Sequence, residues 1–141
     1  TNGAGFVLHG QTLLPGDHPV VQVLVPYASK VLDALDLGNG PSHMEVKLTP
    51  APHKKKTNGE NGDVDPCLVE VGARCHGAEG FWMSVMDKCC GQNQAVAAFD
   101  AFVDAQRFAD LAKLPPSPLK NHGCLKYLLV HHTGTLQAVD P

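Results

Sequence analysis

Between His43 and Thr49 the chain alternates without a break: Met44, Val46 and Leu48 are apolar, while His43, Glu45, Lys47 and Thr49 are polar. A period of two fits a strand with one buried face, because successive side chains of an extended backbone point to opposite sides. Such a strand needs a partner for its backbone donors and acceptors. The nearest is Cys67–Arg74. Strict alternation there gives one face of Cys67, Val69, Val71 and Ala73, and another of Leu68, Glu70, Gly72 and Arg74. Residues 43–73 therefore read as an antiparallel hairpin. Its connection, residues 50–66, carries prolines, Lys54-Lys55-Lys56 and a Thr-Asn-Gly-Glu-Asn-Gly-Asp run. That composition predicts a long, polar, mobile loop. The lysine triplet reads as a solvated loop tip, with a phosphate grip as the alternative.

Helical signals surround this hairpin. Leu14-Pro15-Gly16-Asp17 is a turn, after a short strand at residues 6–8. A helix is expected over residues 19–37, capped by Asp17 or His18, with Pro19 in its first turn and Gly38 and Gly40 at its end. Val21, Leu24, Val25, Ala28, Val31, Leu32 and Leu35 form its apolar face. Pro26 predicts a kink or a later start. A second helix fits residues 80–90, stopped by Gly91. A third fits residues 94–112, capped by Asn93, with Val96, Phe99, Phe102, Val103 and Leu111 inward and Asp100, Asp104 and Arg107 outward. Strands at residues 123–131 and 136–139 follow. The fold class is α+β, an antiparallel sheet with packed helices.

Composition narrows the functions. A chain of 141 residues is one domain's worth. Eleven Lys and Arg against fourteen Asp and Glu give a net charge of −3, which argues against a nucleic-acid partner. No apolar run approaches the roughly 18–20 residues of a membrane span. Five cysteines (67, 75, 89, 90 and 124) include no C-x-x-C pair. They read as buried free thiols of a reducing compartment, which points to the cytoplasm or an organellar matrix, the cytoplasm being the expected location. A metal site built from Cys75, His76, Cys89 and Cys90 is the alternative, although those spacings match no zinc pattern. The sequence has no P-loop, no complete G-x-G-x-x-G, no G-x-S-x-G and no H-E-x-x-H. His131 and His132 are neighbours on an expected strand, so they face opposite ways.

Glu45 and Glu70 stand out as carboxylates within apolar strands. In the hairpin they can share a face, where two like charges repel. A divalent cation between them reverses the sign. Mg²⁺ is typically held by one or two carboxylates together with phosphate oxygens and water. Arg74 lies on the Glu70 face by alternation, and a guanidinium there suits a phosphate or carboxylate. Gly72 removes bulk where a ligand would approach the backbone. The competing reading pairs Glu45 with Lys47 or His43, and Glu70 with Arg74, on a solvated surface.

Two motifs agree in type and order: residues 31–50, from Val31-Leu32-Asp33 through Gly40-Pro41 and His43-Met44-Glu45-Val46-Lys47-Leu48-Thr49-Pro50, and then Pro66-Cys67-Leu68-Val69-Glu70-Val71-Gly72-Ala73-Arg74-Cys75-His76-Gly77. Together they resemble the C-terminal half of an ATP-grasp domain of the carboxylate–amine ligase type, which includes dipeptide ligases and carnosine-synthase-like enzymes. The resemblance spans about residues 5–140 and is specific between 31 and 77. It implies the C-terminal subdomain of an ATP-grasp fold, ATP and Mg²⁺ as cofactors, and small carboxylate and amine substrates. By this likeness Glu45 and Glu70 hold Mg²⁺ against the ATP phosphates, and Arg74 contacts phosphate or the substrate carboxylate. Val69 matches the apolar position beside adenine. The implied reaction activates a carboxylate as an acyl phosphate, which an amine then attacks. Where the family usually has Asn two residues after the second Glu, this chain has Gly72, and water, His76 or Glu79 is the expected substitute. The family's nucleotide-clamping lysines and Gly-rich flap come from an upstream half. Residues 1–141 are therefore expected to be a partial ATP-grasp domain, inactive alone, whose missing N-terminal half belongs to the same polypeptide. The alternative is a degenerate, non-catalytic binding module. His76, Glu79 and Trp82 are this half's candidates for the substrate pocket.

Overall fold

The computed structural model describes residues 7–50, 64–129, 133–135 and 137–138. They form a mixed α+β structure with two small antiparallel sheets rather than one. The elements run β1 (Gly10–Thr12), α1 (Pro19–Ala34), β2 (His43–Pro50), β3 (Val64–Gly72), α2 (Phe81–Cys90), α3 (Gln94–Val103), α4 (Ala105–Ala109) and β4 (Cys124–Lys126). β1 pairs with β4, and β2 with β3. No described helix is long and apolar enough to cross a membrane.

The hairpin forms as the alternation predicts, but with one irregularity. His43 pairs with Gly72, Met44 with Val71 and Glu45 with Glu70; the next pair is Val46 with Leu68. Val69 is therefore an extra residue, a β-bulge. It shifts the strand by one and puts Leu68 on the face of Val71, Met44 and Val46, while Cys67 joins the face of Glu70 and Glu45. Strict alternation placed Leu68 beside Glu70. The bulge corrects that by keeping Leu68 with the apolar set. Tyr27 of α1 meets it there: the Leu68 backbone N–H donates to Tyr27 Oη at 3.0 Å. β3 begins at Val64, and β2 extends to Pro50, so the ends of the expected 50–66 loop are strand. Residues 51–63 lie outside the described residues.

Helix α1 begins as its sequence dictates. His18 is the N-cap, its Nδ1 accepting from the Val20 N–H at 3.2 Å, and Pro19 occupies the first turn. Pro26 sits within the helix on its exposed side, so water can solvate the Gln22 carbonyl that Pro26 leaves without a donor. The helix ends before Gly38. Asp36 adopts a left-handed conformation (φ 55°), its N–H donates to Asp33 O at 3.1 Å, and the Leu37 N–H donates to Leu32 O at 3.0 Å. This is a Schellman stop made with Asp in place of the expected Gly.

Gly91 terminates α2 with φ 76°, and Asn93 caps α3 by accepting from the Val96 N–H. Both match the sequence signals. The expected single helix over 94–112 is interrupted at Asp104, whose extended backbone (φ −146°, ψ 80°) ends α3 and whose carboxylate accepts from the Arg107 N–H to start α4. Its facing also differs from the expectation. Asp100 is buried, at 1% exposure, while Phe99, Phe102 and Val103 are exposed. Arg107 Nε lies 3.1 Å from Asp100 Oδ2, an ion pair by distance without hydrogen-bond alignment. The apolar stripe that the helical period marks as inward thus faces out.

The described core is small: Cys89 and Cys90 of α2 and Leu119, with Leu13 and Val85 against them. The expected burial of the cysteines holds for Cys89 and Cys90 alone: Cys75 is half-buried, and Cys67 and Cys124 are exposed despite their apolar sequence neighbours. Burial pushes the Cys90 thiol above its ordinary pKa, which keeps it protonated. Residues 7–8 of the strand expected at 6–8 are not strand, and a short strand forms at Gly10–Thr12 instead; of the strand expected at 123–131, the described residues form only Cys124–Lys126, while 6, 130 and 131 lie outside the described residues. Residues 137–138 are not strand; 136 and 139, and the His131-His132 pair, lie outside the described residues.

Candidate functional site

The open end of the β2–β3 hairpin carries the titratable groups. Residues paired directly across an antiparallel ladder project to the same side, so Glu45 and Glu70 share a face, and His43 and Gly72 share it two residues along. Both glutamates are exposed. Among the described residues neither enters an ion pair, so the competing arrangement of Glu45 with Lys47 or His43, and Glu70 with Arg74, is not formed. Arg74 follows the end of β3, where its N–H donates to Gly72 O at 2.9 Å. Its side chain folds over Gly72: a Cβ at that position would stand 3.5 Å from Arg74 Cγ and Nε. Arg74 thus sits on the glutamate face, as expected, and its Nη1 donates to Cys75 O at 3.0 Å. Val69 is the bulge residue and is half exposed, at 51%.

Beyond Arg74 the chain is held by α3. The His76 N–H donates to Gln94 Oε1 at 2.8 Å, and Gln94 Nε2 donates to Ser42 O at 2.7 Å. One glutamine side chain therefore fixes the exit of β3 to the entry of β2. The His76 ring meets His43 edge-on at 4.6 Å between centroids and stacks on Trp82 at 6.1 Å. Trp82 is buried, at 8% exposure. His43 titrates below its ordinary value because burial desolvates its charged form; His76 and Arg74 add repulsion, and Glu45 and Glu70 oppose the shift. At neutral pH it is an uncharged ring.

Two cavities meet at this pair of histidines. One, of about 570 Å³, is lined by Glu45, Arg74, His43, His76, Gln11 and Tyr127 among others. The other, of about 650 Å³, lies between the start of β2, α2 and the α3–α4 region. Ser42, His43, Met44 and His76 contribute to it together with Trp82 and Phe108. Of the sequence candidates, the structure brings Glu45, Glu70 and Arg74 onto one face and His76 and Trp82 to the adjoining cleft, whereas Glu79 lines neither cavity. Sequence reasoning overlooked His43 and Gln94. The strand position of His43 was legible, but its contact with His76 depends on how the loop after β3 returns.

The donor set suits a hard cation that leans on its ligand. Among the described residues no three His, Cys, Asp or Glu side chains converge as a metal-binding group. Two exposed carboxylates facing each other, without a neutralising cation among the described residues, fit Mg²⁺ bound chiefly through phosphate and water. They do not fit a closed zinc site, and the alternative cluster of Cys75, His76, Cys89 and Cys90 is not assembled.

No family model, curated protein or solved structure matches this chain.

Proposed function

We propose that this chain supplies the metal- and phosphate-binding side of an ATP-dependent ligase that joins a carboxylate to an amine. The observation that carries this reading is the register that sets Glu45 directly against Glu70 on one face of the hairpin, with Arg74 folded over Gly72 on the same face. Left alone, that pair of like charges weakens the hairpin. A phosphate-bound Mg²⁺ converts the repulsion into attraction, and Arg74 supplies a positive charge for a phosphoryl oxygen or a substrate carboxylate. Mg²⁺ when bound would neutralise charge developing on the transferred phosphoryl group. Val69, displaced by the bulge and half exposed, is available as an apolar surface beside a nucleotide base. The subdomain belongs, on this reading, to an ATP-grasp fold, and the rest of the nucleotide clamp comes from a preceding half of the polypeptide. The protein acts in the cytoplasm, in keeping with its free thiols.

Calorimetric titration of the full-length polypeptide with Mg·ATP tests this. Wild type is expected to bind, with Glu45→Gln and Glu70→Gln each weakening affinity at least about tenfold, as loss of a charged metal ligand of roughly 1.4 kcal/mol or more would require. Equal affinity in all three would overturn the reading. A second reading, a non-catalytic nucleotide-binding module, is favoured by Gly72, which offers no side-chain ligand opposite His43. Release of ADP and phosphate with any carboxylate–amine pair would eliminate it.

A further inference from the structure

The cleft beside the glutamate face has a chemistry of its own. Its volume, about 650 Å³, falls within the ~300–1,000 Å³ typical of small-molecule sites. Trp82, Met44, Met86, Ala97, Phe108 and Leu111 give it an apolar lining. Two of the polar side chains that line it, Gln94 and Asn93, are already committed to the protein. Gln94 bonds His76 N–H and Ser42 O, while Asn93 donates to Asp87 Oδ1 and accepts from Val96 N–H. An apolar group entering the cleft would therefore strip water from apolar surface without stranding those polar atoms.

The cleft also leads somewhere. His43, Met44 and His76 line both it and the cavity that holds Glu45 and Arg74. A molecule seated in the cleft can pass its head group beside the two histidines toward the charged face. A concave site of this size suits a small molecule rather than the broad surface of a folded partner.

We propose that this cleft receives the bulky apolar or aromatic side chain of the carboxylic acid that the enzyme activates, with its carboxylate directed past His43 toward Arg74. The proposal rests on the functional reading above, and it names a substrate class for it: α-amino or related acids with large hydrophobic side chains. Trp82 forms the buried wall, Met44 and Met86 adapt to the shape of the side chain, and Phe108 and Leu111 close the side toward α4.

Trp82 is the sole tryptophan of residues 1–141, and the part of the full-length polypeptide's emission that Trp82→Phe removes reports on the cleft. The full-length polypeptide would be titrated with L-phenylalanine, L-leucine, L-alanine and L-glutamate by calorimetry and Trp82 fluorescence, with and without Mg·ATP. Phenylalanine and leucine are expected to bind saturably and to shift the emission, with alanine and glutamate about tenfold to a hundredfold weaker. Ala97→Phe, which fills the cleft, is expected to abolish phenylalanine binding while Mg·ATP affinity stays unchanged. Leu111→Phe, also on the lining, provides the same test if Ala97→Phe fails to fold. Equal affinity for all four acids, no saturable binding of phenylalanine or leucine, or undiminished binding in a folded, cleft-filled variant would overturn the proposal. Failure of the functional reading is distinguishable. Mg·ATP affinity insensitive to Glu45→Gln and Glu70→Gln strikes that reading alone, and selective apolar-acid binding would still establish the cleft as a site.

Discussion

Glu45 and Glu70 are direct partners across the β2–β3 ladder, and the bulge at Val69 begins immediately beyond them. Two exposed carboxylates in that relation repel. In metal-free buffer, Glu45→Gln should therefore raise stability, by about 0.2–1 kcal/mol. With Mg·ATP present the order should reverse, wild type gaining more from ligand than the variant. Thermal melts in EDTA and in saturating Mg·ATP check both signs.

Next to the bulge, the Leu68 backbone N–H donates to Tyr27 Oη. Tyr27→Phe removes that acceptor. Because the bond is exposed, water can replace it, so the expected cost lies at the lower end of about 0.5–1.5 kcal/mol. Amide exchange should become faster at Leu68, while the pairs on the other side of the bulge change little.

Asp36 holds a left-handed conformation at the end of α1. A side chain makes that region costly, although less so for Asp than for most residues. Asp36→Gly should stabilise the protein by about 0.5–1 kcal/mol, read from the denaturant midpoint at unchanged slope.

Phe102 and Trp82 separate apolar character from burial. Phe102 is 82% exposed. Its replacement by Ser should alter stability by less than about 0.5 kcal/mol. Trp82→Ala, in a buried position, should cost about 3–5 kcal/mol. Chemical denaturation of the two variants side by side measures the contrast.

His43 titrates below its ordinary value of 6.5. As pH falls through 6.5, the unfolded chain takes up this proton before the folded one does. Stability should therefore decline between 6.5 and the lower folded value, and this residue should add no slope above that window. A ring-proton NMR titration should place the His43 midpoint below 6.5, and His43→Gln should flatten the stability profile across the same interval.

Much of this was legible locally. The pairing of β2 with β3 followed from two alternating runs, and with it the shared face of Glu45 and Glu70. The starts of α1 and α3, at His18-Pro19 and Asn93, and the stop of α2 at Gly91 followed from capping chemistry, which involves only neighbouring residues. The stop of α1 was less legible, because Asp36 takes the conformation that Gly38 advertised. The cleft was legible only through His76 and Trp82. Its remaining walls come from segments far apart in the chain.

By itself, then, the sequence determined where backbone hydrogen bonds close within a turn or between two adjacent strands, since periodicity and caps act over a few residues. Tertiary structure alone decided the bulge at Val69, the joining of His43 to His76 and the facing of α3. A helical period marks one apolar side but does not say which side the rest of the chain will cover. In α3 the packing covers Asp100 and leaves Phe99 and Phe102 in solvent.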